Sequence, residues 1–119
     1  MFASVDKAQQ KEKYYTIKSG RDYERIALKD VYYLEKQRNY VYFHTVRGVF
    51  RERTTLDKKS DLLTKGFLRT HIGYMVNIRH IDRISSDNIS LSDDSTIPLS
   101  KKYYEDVRKC FFEWMANEI

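Results

Sequence analysis

Residues 14 to 55 consist of short apolar and aromatic runs that are separated by polar turns. Tyr, Val, Phe, Ile and Thr dominate the runs, and these residue types fit the pleated, half-buried surface of a β-sheet. Turns are expected at residues 19–22, 38–39 and 47–48. The pattern predicts a mainly β chain, with strands in YYTIK, YERIAL, VYYLEKQ, YVYFHTV and VFRERTT.

Two later segments break this alternation, and the first lies between residues 54 and 66. A Thr-x-x-Asp spacing joins Thr54 to Asp57, as in a capping box. The segment therefore predicts one short internal helix that ends at Gly66, with Leu56, Lys59, Leu62 and Leu63 at helical spacing.

The second segment begins at Ser100, after Pro98 and Leu99. It predicts a C-terminal amphipathic helix, because apolar residues recur every three or four positions, at Tyr103, Tyr104, Val107, Cys110, Phe111, Trp114 and Met115. Between the two helices, alternating residues near positions 81–84, 89–91 and 97–99 are joined by polar turns and predict a β-meander.

Length and composition restrict the class of protein. The 119 residues fall within the usual size of one domain, and the 41% hydrophobic content can supply a core. We place a domain boundary near Lys13, so that residues 1–13 form a linker or frayed N-terminal segment and residues 14–119 form the domain. The 22 Lys and Arg residues exceed the 17 Asp and Glu residues, and the net charge of +5 favours polyanionic partners such as nucleic acid.

The cysteine count and the absence of long apolar runs indicate a cytoplasmic chain. The single cysteine, Cys110, cannot form an internal disulfide, which suits a reducing compartment. No run approaches the roughly 18 apolar residues of a membrane span, and the first residues lack the features of a signal peptide. We therefore expect no membrane partner.

The histidines and carboxylates form no catalytic or metal-binding pattern in the sequence. His44, His71 and His80 share no metal-ligand spacing, and no nucleophile or carboxylate pair stands beside them. The Asp93–Asp94 pair is typical of a solvated turn. We predict that the chain is not an enzyme and has no catalytic residue, no metal and no cofactor.

The aromatic residues of the strands allow two interpretations. Tyr32, Tyr33, Tyr40, Tyr42 and Phe43 could stack on the bases of single-stranded nucleic acid. More simply, aromatics with a period of two fill the core on one face of a sheet and pair across strands on the other. A protein-interaction or single-stranded nucleic-acid-binding β module is therefore the alternative function.

Basic residues gather at the ends of the predicted elements. Such positions can contact phosphates, and Lys or Arg can also reach guanine O6 and N7, although charged loops are common on any solvated surface. The residues concerned are Lys36, Arg38, Arg51, Arg53, Lys58, Lys59, Lys101 and Lys102.

The stretch FLRTHIGYMVNIRHI, residues 67 to 81, carries polar residues within an apolar run. A buried polar group without a hydrogen-bond partner costs roughly 1 to 3 kcal/mol. These polar residues are therefore expected either to have hydrogen-bond partners within the protein or to serve its function. The stretch is also one of four ordered segments that resemble the LytTR-type DNA-binding domain of bacterial transcription regulators. The other three are IALKDVYYLEKQRNYVYFHT, TTLDKKSDLL and IPLSKKYYEDV.

The resemblance implies about ten short strands in small sheets, with loops rather than a recognition helix entering the DNA grooves. By this resemblance, two segments would reach bases in two successive major grooves: the turn at Arg38, Asn39 and Tyr40, and the loop at Ser100, Lys101 and Lys102. The loop around Ile72 would lie near the minor groove between them. Asn39 and Lys102 would contact base edges, with Arg38 and Lys101 as neighbours, and the backbone contacts would be Arg53, Lys58, Arg69 and Arg79.

Three further expectations follow from the resemblance. His71 and Asn77 would be structural residues that hydrogen-bond to backbone. Ile72 stands where the family usually has a polar residue, and Lys101–Lys102 stands where an arginine is common.

The partner implied by the resemblance is double-stranded promoter DNA with direct repeats. The isolated domain would be monomeric and would dimerise on DNA. It would be either the output domain of a response regulator, downstream of a phosphorylated receiver domain, or a stand-alone regulator.

Overall fold

The computed structural model describes residues 13–118, which form ten strands, three short 3-10 helices and one α-helix. The strands are β1 Tyr14–Ser19, β2 Asp22–Ala27, β3 Val31–Gln37, β4 Tyr40–Thr45, β5 Gly48–Glu52, β6 Phe67–His71, β7 Tyr74–Asn77, β8 Ile81–Ile84, β9 Asn88–Leu91 and β10 Thr96–Pro98. The 3-10 helices are Leu28–Asp30, Asp57–Thr64 and Ile78–His80, and the α-helix, α1, is Lys101–Glu118. The predicted mainly β fold class is confirmed.

The strands form three antiparallel sheets. A five-stranded sheet has the order β5-β4-β3-β7-β6, the three-stranded sheet β10-β9-β8 is the predicted meander, and β1 pairs with β2 alone. Strands that are neighbours both in the chain and in a sheet are joined by short turns, as the alternating runs predicted. The connection from β5 to β6 is longer and contains the 3-10 helix Asp57–Thr64.

The five-stranded sheet separates two hydrophobic cores, because successive side chains of a strand point to opposite faces. Met75 belongs to a core that includes Leu34, Phe43 and residues of the β1–β2 hairpin. Its neighbour Val76 belongs to a second core, formed with the meander and with α1 through Val107. The sheet is therefore covered on both faces.

Asn77 is a structural residue, as expected. Its side chain is buried, and Nδ2 donates to the carbonyl oxygens of Leu28 and Val31 at 3.0 and 2.9 Å. Its Oδ1 accepts a hydrogen bond from the backbone N–H of Arg79 at 3.3 Å. Asn77 thus joins β7 to the start of β3 and to the following 3-10 helix.

The internal helix is present, but its geometry differs from the expected single helix. Residues Asp57–Thr64 form 3-10 turns with a break at Lys59, whose φ and ψ are −103° and 18°. The Lys59 side chain is buried and its ammonium lies 3.0 Å from Glu52, so this residue points into the protein. The side-chain cap comes from Thr55 rather than Thr54, since Thr55 Oγ1 accepts a hydrogen bond from the Lys58 N–H at 3.2 Å.

The amphipathic C-terminal helix is confirmed, with a shorter buried stripe than expected. Val107 is buried and residues as far as Trp114 pack against the second core. Met115, which the spacing placed in the stripe, is 45% exposed. The helix contacts the five-stranded sheet through β6.

The predicted linker over residues 1–13 lies outside the described residues except for Lys13. The carbonyl oxygen of Lys13 accepts a hydrogen bond from the Leu28 N–H at 2.8 Å. The domain boundary near this residue stays a prediction.

Candidate nucleic-acid interface

Two hairpin turns lie at the same end of the five-stranded sheet, which we call the loop end. Arg38 and Asn39 connect β3 to β4, and Ile72 and Gly73 connect β6 to β7. Because β3 and β7 are antiparallel, the end of β3 meets the start of β7, and the Lys36 N–H donates to the Gly73 carbonyl oxygen at 2.8 Å. The two turns are thus neighbours.

The start of α1 is attached to the loop end through β6. The Ser100 N–H donates to the carbonyl oxygen of Thr70 at 2.9 Å, and Thr70 lies two residues before Ile72. Lys101 and Lys102 follow Ser100 directly and are exposed. All three predicted reading segments are therefore brought together, as a row that runs from the Arg38 turn through the Ile72 turn to the start of α1.

The Arg38–Asn39 turn is exposed and has an unusual backbone. Arg38 has a φ of 56°, a left-handed conformation that is uncommon for residues other than glycine. Next to the turn, the Tyr40 ring carries the Arg51 guanidinium 4.4 Å from its centroid. A hydrogen bond with Tyr42 raises the pKa of Arg51 further above its ordinary value, so the charge on this side of the turn is permanent.

The Ile72–Gly73 turn is held by side chains of β6. Arg69 Nε donates to the His71 carbonyl oxygen at 2.9 Å, and Nη2 donates to the Ile72 carbonyl oxygen at 2.6 Å. His71 Nδ1 accepts a hydrogen bond from the Gly73 N–H at 3.0 Å. His71 is therefore the bracing residue that the sequence predicted. Arg69 points to the turn and pairs with Asp57 at 3.2 Å, so its guanidinium is not directed to solvent.

Arg53 and Lys58 are exposed near the loop end. Arg53 follows β5, whose last residue pairs with Val41 beside the β3–β4 turn. Lys58 lies in the first turn of the 3-10 helix Asp57–Thr64, next to the residue that binds Arg69. Lys59, in contrast, is buried and belongs to the core rather than to this surface.

Arg79 is the one predicted site residue that the structure places elsewhere among the described residues. It follows β7 at the far end of the five-stranded sheet. There it is exposed and lines a cleft of about 280 Å³ together with Lys13, Lys65 and Trp114.

Glu35 connects three strands beneath the turns. Its carboxylate accepts a hydrogen bond from the Tyr74 hydroxyl at 3.1 Å and lies 3.1 Å from His44 Nε2. The pKa of Tyr74 is raised, first by burial and then by the Glu35 charge. His44 stacks on Tyr33 with ring centroids 4.1 Å apart, which is the cross-strand pairing expected of aromatics in a sheet.

Lys36 and Arg51 are both exposed at the loop end. The sequence marked them only as basic residues at the ends of elements, and the resemblance did not include them among its DNA contacts. The strand register could have identified Arg51, because Arg51 pairs with Tyr42 and so shares a sheet face with Tyr40. The place of Lys36 beside the β6–β7 turn follows only from the pairing of β3 with β7, which joins segments about 40 residues apart.

Within residues 13–118, no helix is both long and apolar enough to cross a membrane. The same residues contain no cluster of three or more His, Cys, Asp or Glu side chains that could hold a metal ion. What they do contain at one sheet end is a row of exposed, cationic loops on a small β scaffold, which is the form of a nucleic-acid-binding module.

Residues 21–111 match the family model of the LytTr DNA-binding domain, and the chain belongs to this family. Among solved structures, it is similar to the LytTr DNA-binding domain of a methyl-accepting/DNA response regulator from Bacillus cereus. That match has a TM-score of 0.71 and 24% sequence identity, and covers 81% of this chain and 94% of the other. No curated protein matches the chain. The resemblance seen in the sequence is confirmed.

Proposed function

We propose that the chain binds double-stranded DNA sequence-specifically and regulates transcription through its three loop-end segments. The observation that carries the proposal is the backbone connection of these segments, from Lys36 to Gly73 and from Ser100 to Thr70. It gives three exposed loops fixed spacing on one rigid scaffold. Fixed spacing is what reading several base positions at once requires.

The side chains in this row divide into two roles. Asn39 can pair bidentately with adenine N6 and N7, and Lys102 can reach guanine O6 and N7. Arg38 and Lys101 are their neighbours. Arg53 and Lys58 lie beside the turns and are suited to phosphate contact, which fixes orientation without reading sequence. The dipole of α1, which begins at Lys101, adds positive potential at this end of the helix.

Arg69 and Arg79 are less direct candidates. The Arg69 guanidinium is occupied by two carbonyl oxygens and by Asp57. Arg79 lies at the far end of the sheet, so a phosphate contact there requires DNA that extends along the domain. We assign Arg69 a positioning role and leave Arg79 as a candidate backbone contact.

The aromatic-platform alternative has less support. A stacking platform needs free ring faces. The Tyr40 face is occupied by Arg51, and the Tyr33 face is occupied by His44. We therefore prefer duplex DNA, with direct repeats and dimerisation on the DNA as the mode of binding. In this mode the chain acts in the bacterial cytoplasm, downstream of a receiver domain or alone.

Selection of bound duplexes from a random pool tests the proposal. We expect one enriched motif, repeated at a fixed spacing. Gel shifts with duplex DNA, single-stranded DNA and RNA of equal length complete the test. Equal or tighter binding to single strands would support the aromatic platform instead, and binding to none of the three would favour a protein-interaction module.

A further inference from the structure

Ile72 is 73% exposed, more than any other large hydrophobic residue in the described part of the chain. A single exposed apolar residue is ordinary on a protein surface. Two features distinguish Ile72 from such residues: the way in which its turn is held, and the side chains that surround it.

The turn that carries Ile72 is fixed on both sides. Arg69 binds the carbonyl oxygens of His71 and Ile72, and His71 Nδ1 binds the Gly73 N–H. The Gly73 carbonyl oxygen accepts a hydrogen bond from the backbone N–H of Lys36. Four hydrogen bonds therefore hold the three residues His71, Ile72 and Gly73. A partner that contacts the Ile72 side chain thus loses little further conformational entropy on binding.

Ile72 also lies in the middle of the cationic row. The Arg38–Asn39 turn adjoins it through Lys36, and the start of α1 adjoins it through Thr70. Ile72 lines a cleft of about 200 Å³, and the other residues of that cleft are Lys36, Thr55, Leu56, Asp57 and Arg69. An isoleucine adds nothing to the attraction of phosphate groups, because it is uncharged and has no hydrogen-bonding group in its side chain. It can, however, make apolar contacts with the edges of bases.

Resting on the proposed function, we propose that Ile72 is a specificity residue that selects an A·T base pair beneath the β6–β7 turn. The side chain has no hydrogen-bonding group, so it discriminates by apolar contact alone. In the major groove it would pack on the C5-methyl group of thymine. In the minor groove it would exclude guanine, because the N2 amine would be buried without an acceptor. Both contacts favour A·T over G·C.

The first experiment compares binding profiles. Each base pair of the selected site is replaced in turn, and relative affinities are measured for the wild type and for Ile72→Ala by competition gel shift. At one position, G·C in place of A·T should weaken wild-type binding about fivefold or more. The same replacement should weaken Ile72→Ala less than about twofold, while the remaining positions keep their preferences.

Val49→Ala is the matched control, because Val49 is also an exposed aliphatic residue, 56% exposed, and pairs with His44 away from the loop end. It should reproduce the wild-type profile at every position. Since Ile72 is exposed, Ile72→Ala should keep the wild-type circular dichroism spectrum and melting temperature.

Base analogues then identify the groove. If deoxyuridine in place of thymine weakens wild-type binding about fourfold, the contact is with the methyl group in the major groove. If deoxyinosine in place of guanine restores binding, the excluded group is the minor-groove amine. Either result supports the inference.

Identical profiles for the wild type and Ile72→Ala, on a site that the protein does select, would overturn the inference and leave the proposed function intact. Failure of the wild type to select any sequence would overturn both.

Discussion

Arg69 Nη2 donates to the carbonyl oxygen of Ile72 at 2.6 Å, and the register of β6 against β7 shifts between Arg69 and His71. The Arg69 side chain is only 18% exposed, and Asp57 lies 3.2 Å from Nη1. The guanidinium therefore binds groups within the protein and holds the conformation of the Ile72 turn. From the sequence alone, an arginine at this place was expected to contact phosphate.

Arg69→Lys tests the positioning role, because an ammonium group keeps the charge but cannot bind two carbonyl oxygens with a planar fork. We expect specific binding to weaken about tenfold, while nonspecific binding and the salt dependence stay unchanged. Affinities measured over a series of salt concentrations check this. If Arg69 contacted a phosphate instead, Arg69→Lys would change the affinity only slightly. Arg69→Ala would then reduce the slope of log affinity against log salt by about 0.9.

Asn39→Ala should reduce specific binding far more than nonspecific binding. A base-edge hydrogen bond discriminates by roughly 1 to 3 kcal/mol, whereas a phosphate contact carries little sequence information. Lys102→Ala should have the same effect at a different base position. Because the two residues lie on separate loops, the losses should add in the double variant. Normal discrimination by Asn39→Ala, combined with lost discrimination by a folded His71→Ala, would assign reading to the central turn instead.

Lys58→Ala should weaken binding to all sequences together and reduce the salt slope by about 0.9, because one phosphate contact is lost. Arg53→Ala should behave in the same way. Lys65→Ala removes an equal charge at the far end of the sheet and should leave the slope unchanged. Arg79→Ala measured in the same series decides whether the far end contacts DNA, and a slope equal to that of the wild type would remove Arg79 from the interface.

Local patterns in the sequence predicted the elements of this fold well. Aromatic residues with a period of two on either side of Arg38 and Asn39 predicted the β3–β4 hairpin. Apolar residues such as Val107, spaced every three or four positions, predicted α1. The 3-10 helices Leu28–Asp30 and Ile78–His80 were not predicted, because three residues give no period to detect.

The candidate site was less predictable than the fold, since its geometry depends on pairing between distant segments. The sequence indicated that Arg69 and Lys58 are cationic. It did not indicate that the Arg69 side chain turns towards the protein while the Lys58 side chain is exposed to solvent. Lys59 shows the same limit, since Lys58 and Lys59 are adjacent and have equal charge, yet only Lys59 is buried. The partner that decides this, Glu52, lies on another element.

Lys59→Met should destabilise the protein by roughly 3 kcal/mol, because removing one partner of a largely buried ion pair leaves the other unpaired. Burial lowers the pKa of Lys59, but hydrogen bonds to Glu52 and Tyr15 outweigh it, so the pKa is raised overall. The folded state therefore holds this proton more tightly than the unfolded chain. The contribution should be complete below about pH 10.4 and decline as the pH rises through the folded-state pKa.

Urea unfolding of the wild type and of Lys59→Met at several pH values measures this difference. The two curves should stay equally far apart between pH 7 and pH 9 and converge at higher pH. A second variant, Lys59→Met with Glu52→Leu, should recover part of the stability, because no unpaired carboxylate remains. A constant difference up to the highest pH would mean that packing of the lysine stem, and not its charge, stabilises the site.

Thr70→Val should stabilise the protein, although Thr70 is fully buried next to the loop end. Its hydroxyl has no hydrogen-bond partner among the described residues, and such a group costs roughly 1 to 3 kcal/mol. Valine has nearly the same shape and removes that cost, so the melting temperature should rise by about 4 °C or more. DNA binding should not change, because the Ser100 N–H donates to the backbone carbonyl oxygen of Thr70 and not to its hydroxyl.

The matched control is Thr45→Val, where the hydroxyl donates to the Gly48 carbonyl oxygen at 2.7 Å and accepts from the Arg47 N–H at 3.1 Å. That variant should lower the melting temperature, and a fall for both would show that the Thr70 hydroxyl is bonded, for instance to a buried water molecule.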